Sequence, residues 1–107
     1  MITFEVFKQL MEFETKGKYC IEILFSIAES EKFDYCWMGK TPDEDTTKDI
    51  YWFGLTADGK NAFEYSTFEE LSSATVFDGK ALIDIWDDIT VKEIDGCDPE
   101  ERIGCYI

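Results

Sequence analysis

Residues 19–27 constrain the fold more than any other stretch. Tyr19, Ile21, Ile23, Phe25 and Ile27 alternate with Cys20, Glu22, Leu24 and Ser26. Period-2 alternation puts every second side chain on one face of a strand, whereas a helix would scatter the same residues around its axis. A strand with one apolar face needs neighbours and a cover, so the rest of the chain must supply both.

The remaining text supplies them. Thr3 is an N-cap for a helix over residues 3–13, whose Phe4, Phe7, Leu10 and Met11 form one stripe. Lys16-Gly17-Lys18 breaks that helix before the first strand. A second strand follows Ser30-Glu31-Lys32, with Phe33, Tyr35 and Trp37 on one side and Asp34, Cys36 and Met38 on the other. Residues 39–49 hold no apolar side chain and read as an exposed acidic loop. Residues 50–66 read as a hairpin about Asp58-Gly59, a dipeptide suited to the two positive-φ positions of a type I′ turn. Counting outward from a two-residue turn pairs Leu55 with Ala62, Gly54 with Phe63, Phe53 with Glu64 and Trp52 with Tyr65. Trp52, Phe63 and Tyr65 then form the core face, and Tyr51, Phe53 and Leu55 the opposite one.

Thr67-Phe-Glu-Glu70 is a capping box opening a helix over 68–73. Phe77-Asp78-Gly79 turns into a second short helix near 80–87, with Leu82, Ile85, Trp86 and Ile89 inward. A last strand spans 89–94, ended by Asp95-Gly96, and residues 97–107 form a tail whose Ile103, Tyr106 and Ile107 fold back. The sum is one α+β domain over residues 1–107: an antiparallel sheet of four or five strands with an N-terminal helix and two short later helices on one face. Its 107 residues can bury a core without staples.

The segment Phe68-Glu-Glu-Leu71, Phe77-Asp-Gly-Lys-Ala-Leu82, Ile85-Trp-Asp-Asp-Ile89 and Ile94-Asp-Gly96 resembles the C-terminal half of a group of small uncharacterised proteins of Gram-positive bacteria (Firmicutes). The resemblance covers roughly residues 50–96 and implies an N-terminal helix, an aromatic strand pair and a tryptophan-bearing helix. The group has no established activity to carry over, and the tail after Cys97 has no counterpart in it.

Charge narrows the partners. Asp and Glu number 24 against 10 Lys and Arg, a net of −14. That field repels phosphate backbones and anionic membranes and attracts basic proteins. It is uneven, at −5 over residues 1–53 and −9 over 54–107. Cys20, Cys36, Cys97 and Cys105 lack C-x-x-C spacing, and the N-terminus lacks a basic and apolar leader. Free, mostly buried thiols and a cytoplasmic setting are expected.

Histidine is absent, which removes Ser-His-Asp and Cys-His catalysis and histidine metal sites. No glycine-rich phosphate loop is present either. Asp43, Asp45 and Asp49 occupy positions 1, 3 and 7 of a calcium-type loop. Lys48 replaces the glycine at its sharp turn, and Gly54 replaces the bidentate glutamate. Asp84, Asp87 and Asp88 lie one helical turn apart but read as a solvated helix face. Cys36 lies among acidic residues, which disfavour a thiolate.

Tyr51 and Phe53 have two readings. They pack under a helix, or they form an exposed aromatic patch rimmed by Asp43, Glu44, Asp45, Asp49 and Glu64. The second defines the expected function: a non-enzymatic module, without cofactor, binding a basic protein. One alternative is an acidic inhibitor of a nuclease or nucleic-acid-binding protein, of the phage or defence kind, with carboxylates replacing phosphates. A second is a carboxylate enzyme or calcium module on Asp43, Asp45 and Asp49. A third is a homodimer joined through Tyr51, Phe53 and Leu55.

Overall fold

A computed structural model of the chain describes residues 2–13, 20–43, 48–56 and 61–106. Helix α1 (Phe4–Glu12) is followed by β1 (Ile21–Ile27), β2 (Cys36–Pro42), β3 (Asp49–Gly54) and β4 (Ala62–Tyr65). Then come α2 (Phe68–Ser73), α3 (Leu82–Ile85) running into a 3-10 turn (Trp86–Asp88), β5 (Ile89–Ile94) and α4 (Pro99–Tyr106). The five strands form one antiparallel sheet in the order β4-β3-β2-β1-β5. The expected α+β architecture is therefore the observed one.

Local chemistry sets the helix starts. Thr3 Oγ1 accepts from the Val6 amide at 3.2 Å, and Thr67 Oγ1 accepts from Glu70 at 3.1 Å. Each satisfies an amide that the first helical turn leaves without a partner. Asp78-Gly79 and Asp95-Gly96 both hold two successive positive φ angles, near +54 and +85 and near +54 and +77. Reciprocal backbone bonds close them between Phe77 and Lys80 and between Ile94 and Cys97. That is the type I′ signature. The Asp58-Gly59 turn lies outside the described residues.

One cluster joins the helices to one face of the sheet. Phe7, Leu10 and Met11 of α1, Phe68 and Leu71 of α2, and Leu82, Ile85 and Trp86 beyond meet Ile21, Ile23, Phe25, Cys36, Met38 and Phe53. Burying each large apolar side chain contributes about 1.5–3 kcal/mol. Trp86 stacks on Phe7 with ring centroids 4.5 Å apart, and its indole N–H donates to the Ile2 carbonyl at 3.0 Å. The start of the chain is thereby latched onto the 3-10 turn.

Four expectations are corrected. The second strand begins at Cys36 and runs on through Gly39, Lys40, Thr41 and Pro42, so the expected loop over 39–49 is shortened from both ends. Lys40 is fully buried, because Asp49 neutralises it within the core. The hairpin is slipped by one residue: Phe53 pairs with Phe63, Trp52 with Glu64 and Gly54 with Ala62. Seven residues separate Gly54 from Ala62, an odd number that a two-residue turn cannot give. A one-residue slip exchanges the faces, so Phe53 and Leu55 are core and Trp52 points away. Finally, the tail is helix α4, started by Asp98, whose Oδ2 accepts from the Glu101 amide at 3.2 Å.

Asp95 ties that helix to the sheet. Its Oδ1 accepts from the Glu22 amide at 2.8 Å, and its Oδ2 holds Arg102 Nε at 2.8 Å. Among the described residues no helix is long and apolar enough to cross a membrane.

Candidate functional site

The sheet has a second face, built by the outward half of each strand's alternation. Leu24, Trp37, Ile50 and Trp52 lie on it, and none belongs to the core cluster. Trp37 faces Leu24 on one side and Gly54 on the other. Trp52 faces Gly39 and Glu64. The two glycines leave bare backbone that the indoles cover. A β-carbon on Gly54 would touch both Trp37 (3.8 Å) and Trp52 (4.0 Å), and one on Gly39 would strike the Trp52 ring at 2.9 Å.

Trp52 is fixed by its Nε1, which donates to Thr41 Oγ1 at 3.0 Å. Tyr35, 54% exposed, meets Trp37 edge-on with centroids 6.0 Å apart. The result is an aromatic stripe from Tyr35 through Trp37 to Trp52, half in water. Exposed Glu22, Glu64 and Glu93 flank it on neighbouring strands. None of the outward ladder positions on the described strands carries Lys or Arg. Lys92 is the extra residue of a bulge between β1 and β5, and its Nζ donates to the Asp34 carbonyl at 3.2 Å.

The predicted site residues divide. Glu64 lies on this face, directly across from Trp52. Phe53 does not: it is 1% exposed and packs edge-on against Phe77. Tyr51 is half-buried on the helix side, edge-on to Phe68. The packing reading therefore holds for both, and Leu55 is buried with Phe53. Asp49 is turned to the same side, its Oδ2 3.3 Å from Lys40 Nζ. Asp43 follows β2, its amide donating to the Lys48 carbonyl at 2.7 Å. Glu44 and Asp45 lie outside the described residues.

The sequence pattern does not single out Trp37, Tyr35 or Leu24 for this face, and the two-residue-turn count places Trp52 in the core. A signal was available in Leu24, which stands between Glu22 and Ser26 on the polar side of the alternation. A large apolar residue there announces a second partly dry face.

The other reactive groups are accounted for by packing. Cys36 is buried, its Sγ directed at the Leu55 carbonyl, and burial first and the Asp34 charge second push its thiol up to about 11. It is protonated at neutral pH and no nucleophile. Cys20, Cys97 and Cys105 are free and exposed, correcting the expectation that most thiols are buried. Asp84 Oδ2 accepts from the Ala81 amide at 3.4 Å, at the start of α3. Among the described residues no three His, Cys, Asp or Glu side chains are grouped to hold a metal ion.

Comparison with known protein families, curated proteins and solved structures finds no match to the chain.

Proposed function

We propose that this domain is a non-enzymatic protein-binding module that docks a basic partner on the open face of its sheet. The observation that carries the reading is the aromatic stripe Tyr35–Trp37–Trp52, outside the core and flanked by Glu22, Glu64 and Glu93. Exposed aromatics with a polar rim are the composition of interface centres, where Trp and Tyr supply the largest share of binding energy. The rim and the net charge of −14 select cationic partners and speed their encounter.

The test is capture from the host lysate on immobilised domain at ~50 and ~300 mM salt, a range over which the screening length falls more than twofold. A basic protein should be retained at low salt and largely lost at high salt. Trp52→Ala and Glu64→Lys should each reduce its capture at least about tenfold, the loss expected of an interface hot spot. A nucleic-acid mimic would show the same salt dependence and ignore Trp52→Ala. Retention of the same protein undiminished by both variants would sink the reading.

A further inference from the structure

A groove lies apart from the aromatic stripe, where the N-terminus of α1, the α3 segment and the β5–α4 corner converge. It consists of two cavities of about 260 and 300 Å3 that share Ile2 and Ile89. Val91 extends the apolar floor, and Ile83, 52% exposed, stands on one wall. Asp84 and Asp87, from α3 and the 3-10 turn, line one cavity, and Asp98 and Glu100, from the start of α4, line the other. Among the described residues that line it, none is Lys or Arg.

Two of these carboxylates are held in place by the helices they cap. Asp84 accepts from the Ala81 amide and Asp98 from the Glu101 amide. A carboxylate has room for about four hydrogen bonds, so each retains capacity for an incoming cation.

We propose that this groove receives a cationic amphipathic helix of a partner protein, with aliphatic side chains on the floor and lysines or arginines against the carboxylates of the two cavities. The cross-section selects the occupant. An amphipathic helix carries an apolar stripe bordered by polar positions, which suits the shared Ile2 and Ile89 with carboxylates from α3 on one cavity and from α4 on the other. A strand puts its apolar and charged residues on opposite faces and cannot meet floor and carboxylates together. A second copy of this chain, itself at −14, would bring like charge to the rim. The proposal uses none of Tyr35, Trp37, Trp52, Glu22, Glu64 and Glu93, and stands or falls separately from that reading.

The experiment is an NMR titration of the 15N-labelled domain at ~150 mM salt. The probe is a Leu/Lys amphipathic peptide of roughly four helical turns, compared with a scrambled peptide of identical composition. Shifts should concentrate at Ile2, Ile83, Val91 and the Trp86 indole N–H, and the scrambled peptide should bind at least about tenfold more weakly. Ile83→Asp, at an exposed position that folding does not need, should weaken the amphipathic peptide about tenfold. Glu100→Lys should weaken it in the same direction. Equal binding of the scrambled peptide, indifference to both variants, or shifts centred on Trp37 and Trp52 would each overturn the proposal. The last outcome would favour the open face instead.

Discussion

Lys40 is fully buried on the helix side of the sheet, where an ammonium ion costs several kcal/mol of lost hydration. Two groups offset the cost. Asp49 Oδ2 lies 3.3 Å from its Nζ, and the Phe13 carbonyl accepts a hydrogen bond from the same nitrogen. Phe13 is the C-cap of α1, where the unpaired carbonyls of a helix carry partial negative charge. One cation thus anchors the end of α1, the last residues of β2 and the first of β3. The fit is incomplete, since Asp49 Oδ1 is buried without a hydrogen-bond partner among the described residues. Lys40→Ala should therefore cost about 3–5 kcal/mol, because it strands a carboxylate in the core. The double variant Lys40→Met with Asp49→Leu should recover most of that loss, since a buried pair can be replaced by apolar side chains at little cost. Urea denaturation of the three proteins decides. A single variant that loses under about 1 kcal/mol, the range of surface pairs, would show that water reaches the site.

At the scale of elements, the close approach of β2 to β1 depends on Gly39. A β-carbon there would lie 1.9 Å from the Ile21 carbonyl oxygen, a backbone atom that cannot yield without parting the strands. Gly39→Ala should cost about 3 kcal/mol or more, at the upper end of overpacking. Adding Trp52→Ala should not rescue it, because that removes only the softer 2.9 Å contact. Gly104 in α4 is the contrast: nothing lies within 4 Å of its β-carbon position, and Gly104→Ala should stabilise by up to about 1 kcal/mol. Thermal unfolding of the variants reads both signs. The same elements show what local sequence can convey. Strand β1, helix α2, strand β5 and the Thr3 and Thr67 caps follow from neighbours within a few residues, and their positions were legible. Hairpin register depends on whether the connection is odd or even, which no residue in the strands encodes. One wrong parity moved the expected aromatic face from Trp52 to Phe53 and left only Glu64 in place. Residues 39–42 read as loop because they hold no apolar side chain, and the Asp49 that lets Lys40 be buried is distant in sequence. Helix α4 carries its own local signal, since Asp98-Pro99-Glu100-Glu101 is an N-cap, a first-turn proline and two acids at the positive end of a helix.

Across the whole molecule, the acidic residues outnumber the basic ones by 14. The described pairs are Lys8–Glu12, Lys32–Asp78, Lys40–Asp49 and Arg102–Asp95, and over the whole sequence 24 acidic residues face only 10 basic ones, so the acidic excess persists however the basic residues pair. The excess is densest in the C-terminal half, whose residues rim most of the groove, so like charges crowd as the chain compacts. Such self-repulsion destabilises the folded state and weakens as salt shortens the screening length. Raising NaCl from ~20 to ~500 mM should therefore raise the melting temperature by several degrees, since about 1 kcal/mol moves a domain near this size by roughly 4–8 °C. Capture of a basic partner should fall over the same range, because screening weakens attraction between molecules as it does repulsion within one. The opposed signs are the useful result. A chain whose carboxylates served only solubility would gain stability with salt and have no binding to lose. A flat or falling melting temperature would mean that the carboxylates are too dispersed to repel one another, and the charge could then not be read as a concentrated binding field.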